Sequence, residues 1–266
     1  METSAVNQEG VKKEKCRWLK KEALSIDALV VSLAILVAAL IISFVVASPQ
    51  MGTKGVGKPT EKQIADPNQE AAAGGPVTVS LDDDAVMGDK TKAKVAIIEF
   101  SDLECPFCKR FHKETHDQLV KEYVETGKAI LVARDFPLSF HDPKSTEEAA
   151  VAECVRDEKG DAAYFTFTQQ VYENTLTNGK GLPEGKMMDL LRKAGVDTAK
   201  VLKCSEEEAT KQEIAKDMAD GGKAGISGTP SFVIGKLNSD GTVTGETVVG
   251  ALPLSGFEEV VNKYLQ

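Results

Sequence analysis

Histidine is scarce in this chain, with His 3 among 266 residues; tryptophan occurs once and cysteine five times. Two of the histidines, His112 and His116, stand one helical turn apart, but no third ligand accompanies them. A metal centre is therefore not expected, and the pair reads as a solvated helix face. The cysteines include a single C-x-x-C, Cys105-Pro106-Phe107-Cys108, and no second copy completes the four ligands of a structural zinc site. Also missing is a surplus of positive charge: the net charge is −9, which argues against a nucleic-acid surface. The acidic run Asp82-Asp83-Asp84 lacks the glycine and glutamate spacing of a calcium loop and reads as a solvated turn. No internal repeat is found.

One long apolar run is present. Ala28 to Ser48 carries no charged residue, and about twenty apolar residues suffice to span a bilayer as a helix. Before it lie Lys12, Lys13, Lys15, Arg17, Lys20 and Lys21, a basic cluster that favours the cytoplasmic side. We therefore expect a cytoplasmic segment at 1–25, a single transmembrane anchor at 26–48 that contacts the lipid bilayer, and everything after it outside the cell membrane. A cleaved signal peptide is the competing reading; the long preceding region and the length of the run favour an anchor. Residues 49–76 are rich in Gly, Pro, Lys, Gln and Ala and read as a flexible linker.

The folded part is expected at 77–266. Val77 to Leu81 alternates like a short strand, and Lys94 to Phe100 reads as a buried one. A helix is predicted from Pro106 to about Thr126, followed by a strand at Ala129 to Arg134 parallel to the second. Helices then follow near 161–175, 184–195 and 205–221. Ser145 with Glu148, Ser205 with Glu208 and Ser255 with Glu258 have capping-box spacing at predicted helix starts. Ser231 to Ile234 and Val243 to Val249 form a hairpin around Asn238-Ser239-Asp240-Gly241, and a helix closes the chain. This order, βαβ, a helical insertion about 142–222, then ββα, describes an α/β thioredoxin fold with an inserted helical domain.

Cys105 precedes the predicted helix, where unpaired N–H groups and the helix dipole favour a thiolate, so it is the expected nucleophile. Cys108, one turn inside, is the expected resolving thiol. Pro106 suits a first helical turn. Glu99, in the buried strand, is expected to have a raised pKa and to relay a proton to the inner thiol; an edge position in water is the alternative. Glu104 is expected to be exposed. Pro230, after Thr229, enters a strand; a cis bond there would turn the Thr229 backbone towards the disulfide for an incoming peptide. With Cys16 on the cytoplasmic side, four cysteines remain outside, where disulfides persist. They allow three pairings; a Cys105–Cys108 bond leaves Cys154 with Cys204, and two unpaired buried cysteines are the alternative.

The stretch Ile97 to Cys108, followed by Gly228-Thr229-Pro230, resembles the DsbA family of extracytoplasmic thiol-disulfide oxidoreductases, in its membrane-anchored branch similar to Gram-positive BdbD-like proteins. The resemblance covers about 77–266. It implies Cys105 as nucleophile, Cys108 as resolving cysteine, Glu99 as buried acid and Thr229-Pro230 as the cis-proline loop. It also implies a second, structural disulfide in the helical domain, no organic cofactor, exported polypeptides as substrates and a DsbB- or VKOR-like membrane redox partner. Well-known oxidising members carry histidine where this chain has Phe107, so their redox poise is not transferred; Phe107 is instead expected as an apolar contact for unfolded substrates. The function expected is oxidation of cysteine pairs in exported proteins. A reductase or isomerase of the same fold is the alternative, and a tethered binding or chaperone module with a structural disulfide is a third reading.

Overall fold

Strand β3 (Val95–Ser101) is apolar on both faces, which suits a central strand: Val95 and Ile97 point one way, Ala96, Ile98 and Phe100 the other, all without solvent contact. In the computed structural model of the chain, which describes residues 75–266, β3 pairs in parallel with β4 (Ala129–Asp135) and antiparallel with β5 (Ser231–Leu237). Outward from β5 lie β6 (Thr242–Val249) and β1 (Val77–Ser80), while the short β2 (Ala85–Met87) edges β4. The order across the sheet is β1-β6-β5-β3-β4-β2. The sequence pattern missed β2, whose 3 residues are too few to show alternation. At the paired Gly235 and Gly245 the backbones of β5 and β6 come so close that a Cβ on either would lie 2.0–2.5 Å from the opposite strand, so neither position tolerates a side chain.

The crossover from β3 to β4 is a broken helix: α1 (Pro106–Glu114), then one turn, α2 (His116–Leu119), then a wide π-helical turn at Val120–Val124. A single helix to about Thr126 was the expectation. The break falls at Thr115, which has φ −123° and whose hydroxyl donates to the Leu252 carbonyl at 2.9 Å. This bond ties the helix to the segment entering α8 (Leu254–Leu265). On that face Phe111 of α1, Phe232 of β5 and Phe257 of α8 pack mutually, with ring centroids 4.8–5.5 Å apart. The opposite face of the sheet buries Ile98, Phe100, Val132 and Val233 against Phe136, Ala224 and Ile226.

Five helices fill the insertion: α3 (Lys144–Lys159), α4 (Asp161–Asn174), α5 (Lys186–Ala194), α6 (Thr198–Ser205) and α7 (Glu208–Lys223). None of the three proposed capping boxes forms. Ser145 lies inside α3 and donates to Asp102 instead; Ser205 ends α6; Ser255 lies inside α8, which Pro253 caps. Helix α6 was not anticipated, and Cys204 lies within it, four residues before α7. Its cap is Asp197, which accepts from Ala199 N and Lys200 N at 3.1 Å.

Cys154 of α3 and Cys204 of α6 are joined by a disulfide, 50 residues apart in sequence. Loop closure on this scale contributes up to about 4 kcal/mol. Replacing both by alanine is therefore expected to cost about 2–4 kcal/mol, read as a lower urea midpoint under oxidising conditions that is absent when both proteins are reduced. Cys16, the segment 1–25, the anchor at 26–48 and nearly all of the linker at 49–76 lie outside the described residues. Among the described residues no helix is long and apolar enough to cross a membrane.

Candidate active site

The end of β3 delivers residues 101–105 to the start of α1. Cys105 occupies the N-cap position with φ −78° and ψ 123°, an extended backbone, and Pro106 begins the helix. Thr229–Pro230 is a cis peptide, and the Cys105 thiol donates to the Thr229 carbonyl at 3.3 Å. Both cysteines of the C-x-x-C are free thiols and buried, Cys108 completely. They differ sharply in acidity. Hydrogen bonding from the Cys108 thiol, working against burial, with help from Thr229 and the backbone N–H groups of Cys108 and Phe107, lowers Cys105 from 9.0 to about 6. Burial and the adjacent Cys105 push Cys108 well above its ordinary value. Phe107 is about half exposed beneath the Arg110 guanidinium, 5.2 Å away, and Pro230, which follows the Thr229 carbonyl, is buried.

Two buried carboxylates hold this segment in place. Asp102 accepts from Glu104 N at 2.7 Å, Ser145 Oγ at 2.6 Å, His141 Nδ1 at 2.7 Å and Leu138 N at 2.9 Å. His141, for which the sequence suggested no role, thus anchors the 136–143 loop. Glu104 is fully buried, contrary to expectation. Its carboxylate accepts from Thr175 Oγ1 and, at 2.9 Å, from Gly181 N, while its carbonyl accepts from Asn178 N at 2.8 Å. It turned inward because the 175–181 loop supplies the donors a buried carboxylate needs. Glu148, expected as a helix cap, is also buried, and burial together with Glu104 raises it to about 8.

Glu99 shares a face of β3 with Val95 and Ile97, the face that α1 covers. It is buried, as expected, but its pKa is lowered rather than raised. Burial acts upward and is outweighed by His112, whose Nε2 lies 3.0 Å from Glu99 Oε1. His112 and His116 accordingly are not on a solvated face: both are buried, their rings stacked 4.6 Å apart, with His112 also stacked 4.0 Å from Tyr172. Burial and the neighbouring His112 lower His116. The sequence carried the signal: His112 is four residues after Cys108 and so shares its helical face. Ser101 and Tyr172, bonded hydroxyl to hydroxyl at 2.5 Å, complete the site; their residue types gave no cue. Of the Asp82-Asp83-Asp84 run, Asp82 and Asp83 form the exposed turn expected, whereas Asp84 is buried against Arg134. Cys154–Cys204 belongs to the helical insertion, apart from this cluster.

The site is thus a thiol of lowered pKa, a second of raised pKa, and a backbone carbonyl facing the first. A family model described as thioredoxin matches residues 80–253. A Rickettsia conorii protein provisionally named a protein-disulfide oxidoreductase is 32% identical over 125 residues, 47% of this chain and 41% of that protein. The disulfide bond formation protein D of Bacillus subtilis is 25% identical over 62% of this chain and 72% of its own length. Among solved structures, oxidised BdbD from Bacillus subtilis superposes with a TM-score of 0.61 at 20% identity, over 74% of this chain and 98% of its own. DsbA2 of Pseudomonas aeruginosa gives 0.56 at 25% identity, over 67% and 92%. The match therefore spans less than half of the Rickettsia relative and most of the others.

Proposed function

The chain belongs to the thioredoxin family, in its DsbA-like branch, and on that premise we propose that it is a thiol-disulfide oxidoreductase acting through a Cys105–Cys108 redox disulfide. The observation that carries the proposal is the split acidity of the two thiols, Cys105 lowered to about 6 and Cys108 raised. Such a pair offers one sulfur as nucleophile and leaving group and keeps the other as a protonated resolving thiol. The Thr229 carbonyl, facing Cys105, is placed to receive a backbone N–H of an extended peptide.

The same asymmetry favours oxidation as the direction. A Cys105 pKa depressed in the folded state stabilises the reduced protein increasingly from about pH 6 towards the ordinary thiol value of 9.0. A disulfide whose reduced form is stabilised is the stronger oxidant. The Phe107 side chain plays no part in this, since that residue contributes only its backbone N–H, which is how the site manages without a histidine there. The surroundings suit unfolded chains: Phe107, Phe140, Leu176 and Val249 are each about half exposed or more. Phe140 and Leu176 stand on the loops that Asp102 and Glu104 hold, and Val249 pairs with Ser231 beside Pro230. Exported polypeptides with cysteine pairs are the substrates this face fits.

In this reading residues 26–48 anchor the protein with the catalytic domain outside the membrane, and a DsbB- or VKOR-like membrane partner reoxidises it. The apolar run and the basic cluster before it support the placement. Thiol trapping of membranes is the test. Cys105 and Cys108 are expected mostly oxidised at steady state; a mostly reduced pair would turn the reading to a reductase or isomerase. Absorbance at 240 nm of the reduced protein is expected to rise with a midpoint near 6, whereas a midpoint near 9 would remove the argument for an activated nucleophile.

A further inference from the structure

We propose that His112 is the residue through which Cys108 gains and loses its proton, connecting the buried thiol to a solvent cleft between α1 and α4. The inference rests on the oxidoreductase reading and adds the path that the buried sulfur requires. Cys108 has no solvent contact, so a proton cannot reach it directly.

His112 has its two ring nitrogens in different surroundings. Nε2 meets the buried Glu99 carboxylate at 3.0 Å, and Nδ1 meets Gln169 Oε1 at 3.1 Å. Gln169 and His112 line a cleft of about 390 Å³ whose rim carries Lys109, Lys113, Asp117 and Glu173. A side-chain amide offers both a donor and an acceptor, so by turning over Gln169 can pair with either protonation state of Nδ1. On the inner side, the Ser101 hydroxyl bonds Tyr172 Oη at 2.5 Å. It shares the α1 face of β3 with Glu99 and also bears on Cys108, where it works against the burial that raises that thiol. The imidazole is held flat between Tyr172 and His116. The groups facing it are therefore Glu99 from β3, Tyr172 and Glu173 from α4, Cys108, Lys109 and Lys113 from α1, and His116 and Asp117 from α2.

When a substrate thiolate attacks Cys105 Sγ, the Sγ–Sγ bond breaks and its electron pair goes to Cys108. That sulfur takes a proton through Ser101 from the Glu99–His112 pair, and the pair regains one from the cleft. A second substrate thiolate then attacks the substrate sulfur bound to Cys105 and expels Cys105 as a thiolate. The substrate loses two electrons and two protons; the enzyme disulfide gains both electrons, and one proton stays on Cys108. His112 touches neither sulfur and acts through Ser101 and Glu99.

The test is His112→Gln in the full chain, with single-turnover reduction of the disulfide by a dithiol peptide followed from pH 6 to 9 in H₂O and D₂O. Expected is a slowing of about tenfold, at the low end for positioned proton transfer, with a larger solvent isotope effect and an unchanged Cys105 titration at 240 nm. Wild-type imidazole ¹⁵N resonances of His112 are expected to differ between oxidised and reduced protein, and they decide the matter alone should the variant not fold. A variant within twofold of wild type at every pH, or His112 resonances blind to redox state, would overturn the proposal. Failure of the wild-type protein to react with the dithiol would instead sink the oxidoreductase reading.

Discussion

Cys105→Ser is expected to abolish thiol exchange, and Cys108→Ala to stop it halfway. Loss of an activated nucleophile costs on the order of a thousandfold or more, and no other described thiol can replace it, because Cys108 is completely buried with its pKa raised and Cys154 and Cys204 are already joined. With Cys108→Ala the Cys105 thiolate still attacks a substrate disulfide, but nothing resolves the product. A covalent complex should accumulate, visible as a reductant-sensitive band on a non-reducing gel. The same variant should react at a different pH. The Cys108 thiol is the largest contributor to the lowered Cys105 pKa, so its removal moves the midpoint upward from about 6. The attack rate, which follows the thiolate fraction, then falls at pH 6–7 and recovers above it. A Cys105→Ser protein that retained exchange activity would favour a binding module with an incidental disulfide.

The central strands, the parallel crossover, the hairpin and the junction at Cys105 were legible because their information is local. Apolar runs mark strands, Pro106 marks a helix start and the two-residue spacing marks the redox pair. The errors share one cause, the inward turning of polar residues. Glu104, His112, His116, Asp84 and Ser145 were all assigned to solvent or to caps, since polar residues at most helix and loop positions lie outside. Glu104, His112, Asp84 and Ser145 are buried because another segment supplies a partner: the 175–181 loop for Glu104, Glu99 for His112, Arg134 for Asp84 and Asp102 for Ser145; His116 stacks on His112 instead. Those partners lie 13 to 77 residues away in sequence, beyond what periodicity reports. One of them was within reach. Alternation placed Glu99 on the α1 face of β3, and a buried acid there needs a donor from α1; His112, one turn after Cys108, is the residue able to supply it.

Arg134→Met is expected to be the most destabilising single change away from the thiols, and more so at pH 8 than at pH 5. The Arg134 guanidinium is completely buried at the end of β4. It bonds Asp84 at 2.6–2.7 Å, Asp220 at 3.1 Å and the Ser80 carbonyl at 3.0 Å, with Asp217 at 3.8 Å. One cation thus faces three carboxylates drawn from the turn before β2 and from α7. Removing it leaves buried charge without a partner, a change that costs about 3–5 kcal/mol. The pH dependence follows from linkage. Burial, with Asp84 and Asp135 nearby, raises Asp217 to about 10, and burial raises Asp84 despite Arg134. Acids raised in the native state bind more protons folded than unfolded, so stability falls as pH rises from the ordinary value of 3.8 towards the raised ones. Without Arg134 both rise further. At pH 5 Asp84 and Asp217 of the variant are protonated to a greater extent and the loss shrinks; at pH 8 their forced neutrality or exposed charge adds to it. Urea midpoints at the two pH values measure the difference, and an equal loss at both would mean that packing of the arginine stem, rather than its charge, holds the cluster. The consequence reaches the thiols, because Phe136 N, two residues beyond Arg134, donates to Ser101 O at 2.7 Å. Loosening the end of β4 releases the strand end from which Ser101 faces Cys108.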